Sequence, residues 1–314
     1  MDPRLIVVAI GGNAVYPPDI KGTAGEQLAL MDGACELLVR VFRAGYRLVL
    51  THGNGPVVGN ILFRMARTSR ELTPMPMDVC VAHSQGGMGY MLQQTFANVL
   101  TRHGMAIPVT SIVTQVEVDA DDPAFANPTK PVGKFFSKED ADAMAAQTGW
   151  QFVEDAGRGW RRVVPSPLPR RILDTAALTA LLDAGVIPIA CGGGGIPVVR
   201  EASGAHVGVP AVIDKDMTSA LLAADIGAGV LVMLTGVEAV ALDFGKPSQR
   251  QISRMSADEA RRHLADGQFP PGSMGPKIAA ALDYLARGGG EALITSLDRL
   301  VDALAGQAGT RVTK

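Results

Sequence analysis

Residues 190–199 read "ACGGGGIPVV", four consecutive glycines between the apolar run "VIPIAC" and a second run, "IPVV". Glycine reaches backbone angles that other residues avoid, and without a side chain it lets another group come right up to the peptide. Two short apolar runs joined by bare backbone suggest two strands with something pressed against the turn between them, and a phosphate is the first candidate. A plain loop between strands is the alternative, so the decision rests on what stands at the other strand ends.

Working outward, β-branched runs alternate with amphipathic ones. "RLIVVAI", "GEQLALMDGACELLVRVFRAG", "YRLVLT" and "GPVVGNILFRMAR" open the chain. "ALTALLDAG", "VIPIAC", "PAVID", "DMTSALLAADIGA", "VLVMLT", "PKIAAALDYLARGG", "EALITS" and "LDRLVDALAG" continue it. This βαβα order predicts a three-layer αβα sandwich around a mainly parallel open sheet. Gly45, Gly185 and Gly288 each stand where a helix should end and a strand begin. Residues 117–169 break the rhythm, with both tryptophans, many prolines, a helix start at "SKED" (137–140) and a hairpin across "DAGRG" (155–159). They are expected to form a small protruding, lid-like subdomain on an N-terminal lobe of residues 1–185, followed by a C-terminal lobe of residues 186–314.

Composition narrows the partners. The 314 residues carry 29 Lys plus Arg against 31 Asp plus Glu, a net charge of −2, and no basic block that would track nucleic acid. Mean hydropathy is +0.18, yet no apolar run is long enough to cross a membrane. Three separated cysteines, Cys35, Cys80 and Cys191, suggest neither disulfides nor a thiolate metal site, and fit a reducing, cytoplasmic setting.

In an open α/β sheet, ligands bind beyond the carboxyl ends of the strands. The residues there read "GGNA" (11–14), "THGNGPVVG" (51–59), "GGGG" (192–195), "DKDMTS" (214–219) and "GSMGPK" (272–277). Together they offer exposed N–H groups, helix N-termini and lysines, which is a surface for anions. Only eight of the 29 basic residues are lysines, and Lys130, Lys215 and Lys277 stand in turn-rich loops. A compact ammonium can follow a moving phosphoryl group, whereas arginine favours a fixed bidentate grip. The P-loop, the dinucleotide fingerprint and the protein-kinase H-R-D motif are absent.

The motifs "AIGGNA", "THGNGPVVG", "NPTKPVG", "WRRVVPSPLP", "ACGGGGIPV", "VIDKDMTSALLA" and "FPPGSMGPKIAAA", running in order almost from end to end, resemble the carbamate kinases. The resemblance implies the amino-acid-kinase fold, a homodimer, and reversible phosphoryl transfer between MgATP and carbamate, with ADP and carbamoyl phosphate as products. Gly11, Gly12 and Asn13 are then expected to face the transferring phosphoryl group or carbamate, and Gly53, Asn54 and Gly55 to form the opposite wall. Lys215 and Lys277 are expected to neutralise phosphate charge, with Asp216 orienting them rather than acting as a base. Gly193 and Gly194 are expected beside the nucleotide phosphates. Thr235, Val237, Phe244, Met274 and Gly275 are expected to shape the adenine end. Mg²⁺ is expected to arrive with ATP or ADP, bound by phosphate oxygens and water, with no metal site built from protein groups.

Related acetylglutamate kinases carry a lysine on the first strand before the Gly-Gly turn, and "VVAIGG" has none here. Lys130, in "PTKP", is the expected replacement, delivered by the subdomain. Three residues depart from the family pattern: Val57 where glutamine is expected, Asp243 where asparagine is usual, and Lys134 in "GKFF". Competing readings are a kinase of the same fold with another small carboxylate acceptor, a catalytically silent sensor, and a serine hydrolase built on "AHSQG" around Ser84 with His263 downstream.

Overall fold

The computed structural model describes residues 1–11, 17, 20–155, 157–270 and 272–314, so Gly12 and Asn13 lie outside the described residues. The first half runs β1 (Asp2–Ile10), α1 (Ala24–Arg43), β2 (Arg47–His52), α2 (Gly55–Thr68), α3 (Met77–Arg102), β3 (Val109–Ser111) and β4 (Gln115–Val118). The protruding segment supplies β5 (Lys130–Phe136), α4 (Lys138–Thr148), β6 (Gln151–Glu154) and β7 (Trp160–Val164). The chain returns through β8 (Pro169–Ile172), α5 (Thr175–Asp183), β9 (Ile187–Ile189), β10 (Ile196–Arg200), β11 (His206–Gly208), α6 (Lys215–Asp225) and β12 (Ala228–Leu234). It closes with β13 (Val240–Leu242), β14 (Arg250–Ile252), β15 (Arg254–Ser256), α7 (Ala257–Ala265), α8 (Met274–Ala286), β16 (Glu291–Thr295), α9 (Leu300–Leu304) and β17 (Thr310–Thr313).

One eight-stranded sheet, in the order β15-β17-β16-β12-β1-β2-β9-β3, carries the molecule. Its strands pair in parallel except where β17 meets β16. The alternation along β1 explains the three layers. Leu5, Val7 and Ala9 pack in one core with Leu221 of α6 and Ile278 of α8, while Ile6, Val8 and Ile10 pack in the other with Leu38 of α1 and Phe96 of α3. Each such fully buried aliphatic side chain contributes about 1.5–3 kcal/mol relative to exposure. Strands from both halves share this one sheet, so its carboxyl edge gathers residues far apart in sequence.

A second, four-stranded sheet, β11-β10-β4-β8, stands beside the first. From β4 the chain leads into the antiparallel sheet β5-β7-β6, backed by α4, and it returns to β8. Ser137 caps α4 by accepting from the Asp140 N–H, and Asp155 N–H donates to the Gly159 carbonyl across the predicted hairpin. Phe136 and Phe152 pack edge to face at 5.3 Å in this subdomain, and Phe63 of α2 meets Phe136 at 5.9 Å. Trp150 and Trp160 pack in the same region, each under a cation, Arg162 at 3.6 Å and Lys138 at 4.6 Å from the ring centres.

Two readings of the sequence change here. "PAVID" does not pair as a strand. Ala211, Val212 and Ile213 are buried outside any strand, with Val212 N–H donating to the Pro165 carbonyl. "LDRLVDALAG" forms only the short α9 before strand β17.

Candidate active site

A cavity of about 800 Å³ opens at the carboxyl edge of the main sheet. Gly11 follows β1, Gly53, Asn54 and Gly55 follow β2, and Thr235 follows β12; all line the cavity, as do Gly193, Lys130, Lys215, Asp216 and Lys277. The sheet order places β1 between β12 and β2, which brings these loops together.

The charged groups are already assembled. Asp216 accepts from Lys215 Nζ through Oδ1 at 2.5 Å and from Lys277 Nζ through Oδ2 at 2.8 Å. Asp214 accepts from Lys130 Nζ through Oδ2 at 2.6 Å, while its Oδ1 caps α6 by accepting from the N–H groups of Asp216 and Met217 at 2.9 and 3.3 Å. Asp214 is the cap of α6, which frees Asp216 to bridge two lysines. Burial pushes the Asp216 carboxyl up, but Lys215 and Lys277 outweigh it and hold the group below its ordinary value. Asp214 behaves the same way, with Lys130 the main opposing charge. Burial lowers the Lys215 ammonium below the usual lysine range against the pull of Asp216.

Three ammonium groups facing two carboxylates leave one positive charge in excess. Lys215 opens α6 and Lys277 lies in the first turn of α8, where the helix dipole disfavours cations. Lysines at two positive helix ends are an arrangement suited to an incoming polyanion.

The glycine turn now shows what is pressed against it. A Cβ on Gly192 would run into the His52 ring, one on Gly193 into the Asn54 amide, one on Gly194 into the Ile213 backbone and one on Gly195 into Val116. What lies against these glycines is protein, and of the four only Gly193 also lines the cavity. Gly194 is buried and its carbonyl accepts from Thr218 Oγ1 at 2.8 Å, tying the turn to α6. His52 is buried and its ring nitrogen Nδ1 sits 3.2 Å from the Gly53 carbonyl, with burial keeping the imidazole below its ordinary value. Cys191 is fully buried, and burial drives its thiol far up, which suits an inert strand-end group.

Four other expected residues are not among those that line this cavity. Val237 and Phe244 are exposed, at 40% and 63%, Met274 packs against the core, and Gly275 is buried with its N–H donating to the Pro270 carbonyl. Asp243 holds a left-handed backbone angle (φ 52°), a conformation that asparagine also tolerates, and binds Lys246 at 3.2 Å. The serine-hydrolase reading fails on geometry. Ser84 is 1% exposed inside α3, not on a strand-to-helix turn, and its hydroxyl already donates to the Val81 carbonyl at 2.6 Å. Sequence reasoning missed Asp214 as a site residue, although the acid-lysine-acid pattern of "DKD" carried the signal.

The whole chain and its fold are similar to known proteins. The model of the amino acid kinase family matches residues 4–296. The carbamate kinase-like protein YahI of Escherichia coli is 47% identical, with 99% of each chain covered. The carbamate kinase of Lentilactobacillus hilgardii is 46% identical over 99% of this chain and 98% of its own. Carbamate kinase from Giardia lamblia bound to AMP-PNP superposes with a TM-score of 0.91 at 41% identity, over 100% of this chain and 99% of the other. The chain belongs to the amino acid kinase family, and within it to the carbamate kinases.

Proposed function

We infer that this protein is an ATP-dependent phosphotransferase that interconverts ATP plus carbamate with ADP plus carbamoyl phosphate. The observation that carries the reading is the cluster of Lys130, Lys215 and Lys277 around Asp214 and Asp216 at the edge of the sheet. A carbamate oxygen forms a bond to the terminal phosphorus of ATP while the bond from that phosphorus to its bridging oxygen breaks, and the electron pair leaves on ADP. Both reactants are anions, so the protein's work is positioning and charge neutralisation, and no general base is needed. Lys215 and Lys277 face the phosphates from the body of the molecule, and Lys130 from the subdomain. Glycine N–H groups after β1 and β2 hold the acceptor side.

Magnesium would come with the nucleotide and supply further charge neutralisation. Asp214 and Asp216 are both engaged by lysines, and the described residues bring no three potential ligands together, so most of the ion's shell would be phosphate oxygens and water. We further read the enzyme as a cytoplasmic homodimer that forms ATP from carbamoyl phosphate in arginine breakdown. All three cysteines are free, and α3 exposes Gly86, Gly87 and Tyr90, a smooth face suited to packing against a second copy.

The test is ATP formation by purified protein given carbamoyl phosphate and MgADP. Rapid synthesis is expected. Synthesis from acetyl phosphate but not from carbamoyl phosphate would reassign the acceptor to another small carboxylate.

A further inference from the structure

Resting on the carbamate kinase reading, we propose that Ser84 and Gln85, adjacent on α3, are positioning residues that hold the acceptor wall of the cavity from behind. Both are buried, at 1% and 2% exposure, and each is committed to a different part of that wall.

Ser84 fixes an amide. Its single hydroxyl proton goes to the Val81 carbonyl at 2.6 Å, so toward Asn54 it can only accept, and Asn54 Nδ2 donates to it at 2.8 Å. A hydroxyl has one donor, so this choice sets which end of the Asn54 amide faces the helix. Asn54 occupies the N-cap position of α2, where an asparagine side chain usually accepts from the first turn, yet it makes no such bond. Its amide is turned away from capping and toward Ser84.

Gln85 fixes the glycine turn. Its Oε1 accepts from Thr114 N–H at 2.9 Å, and its Nε2 donates to the carbonyls of Gly192 at 3.0 Å and Thr114 at 3.2 Å. Thr114 in turn accepts from Cys191 N–H through Oγ1 at 3.0 Å. With Gly192 pinned, Gly193 lies so close to the Asn54 amide that no Cβ would fit between them. The cavity-lining pair Asn54 and Gly193 is thereby clamped, the amide by Ser84 and the turn by Gln85.

The test is a double-mutant cycle on the full-length protein, measuring ATP formation from carbamoyl phosphate, ADP affinity and melting temperature. Ser84→Ala is expected to lower kcat/KM for carbamoyl phosphate roughly tenfold with ADP affinity unchanged, since one directing hydrogen bond is lost and the wall shifts. Asn54→Ala is expected to lose at least as much, and adding Ser84→Ala to it should cost little more, because Ser84 acts through that amide. Gln85→Glu, which keeps the acceptor for Thr114 but loses both donors, should impair the same parameter and serves if Ser84→Ala does not fold. Wild-type kinetics in folded Ser84→Ala and Gln85→Glu, or fully additive losses in the double variant, would overturn the proposal. A wild-type enzyme that makes no ATP from carbamoyl phosphate would instead remove the reading on which it rests.

Discussion

Two sets of lysine–carboxylate contacts meet over one cavity and are held by different means. Lys215 and Lys277 share Asp216, their side chains are 11%, 11% and 7% exposed respectively, and both lysines grow from the first turns of helices that pack on the main sheet. Lys130 is the first residue of β5 in the protruding subdomain, and its pair with Asp214 is 23% and 26% exposed. The first set is built into the body. The second is a bond between two parts of the molecule, and its geometry depends on how the subdomain is seated. The difference teaches that the charge of one cavity can be supplied both by groups fixed on the body and by one carried on a separate unit.

Breaking the fixed set should cost most. Asp216→Ala leaves two buried ammonium groups without their shared partner, and it is expected to destabilise the fold by about 3–5 kcal/mol and to abolish measurable turnover, as thermal melting and ATP synthesis would show. Lys277→Ala is expected to keep the fold and lower kcat on the order of a hundredfold, since one charge aimed at the transferring group is lost.

The seat of the subdomain can be broken without touching a charge. A Cβ on Gly59 of α2 would run into the Gly133 backbone of β5, three residues from Lys130. Gly59→Ala is therefore expected to cost about 1–3 kcal/mol through overpacking. It should also lower kcat roughly tenfold through a displaced Lys130, with ADP affinity intact. Lys134, 4.7 Å from the Phe63 ring centre and 4.8 Å from that of Phe136, adds a cation to this seat. Lys134→Met should lower the melting temperature by a smaller amount, on the order of the 0.5–1 kcal/mol of an exposed cation–π contact.

The smallest expected effect comes from acid. Asp214 and Asp216 are held below the ordinary carboxylate value of 3.8 in the folded protein, so their contribution is fully present above that pH and is lost as pH falls below it. The wild-type melting temperature should fall as pH drops from about 4 toward about 2, and Asp214→Asn should lose less over the same interval. An equal fall would show that Asp214 does not carry its share.

Much of this was legible in the sequence because the signals were local. The apolar run "RLIVVAI" falls within β1, "VLVMLT" covers most of β12, and Gly45, Gly185 and Gly288 take positive φ where helices end. Lys130, Lys215 and Lys277 could be singled out because they are rare residues in turn-rich segments. Less legible were strands of three residues, such as β15 and β3, whose pairing is decided by distant partners. The link between Lys130 and Asp214 spans 84 positions, and that between Asn54 and Ser84 spans 30. No periodicity records such contacts. The four glycines were legible as a close approach, but only the fold identifies His52, Asn54, Ile213 and Val116 as what approaches.

The most direct measurement is single-turnover ATP formation from carbamoyl phosphate and MgADP by the wild type, Lys215→Ala and Lys130→Ala. The account predicts rapid transfer by the wild type and a loss on the order of a hundredfold in both variants, with ADP still bound. A Lys130→Ala variant that transfers at the wild-type rate would contradict it.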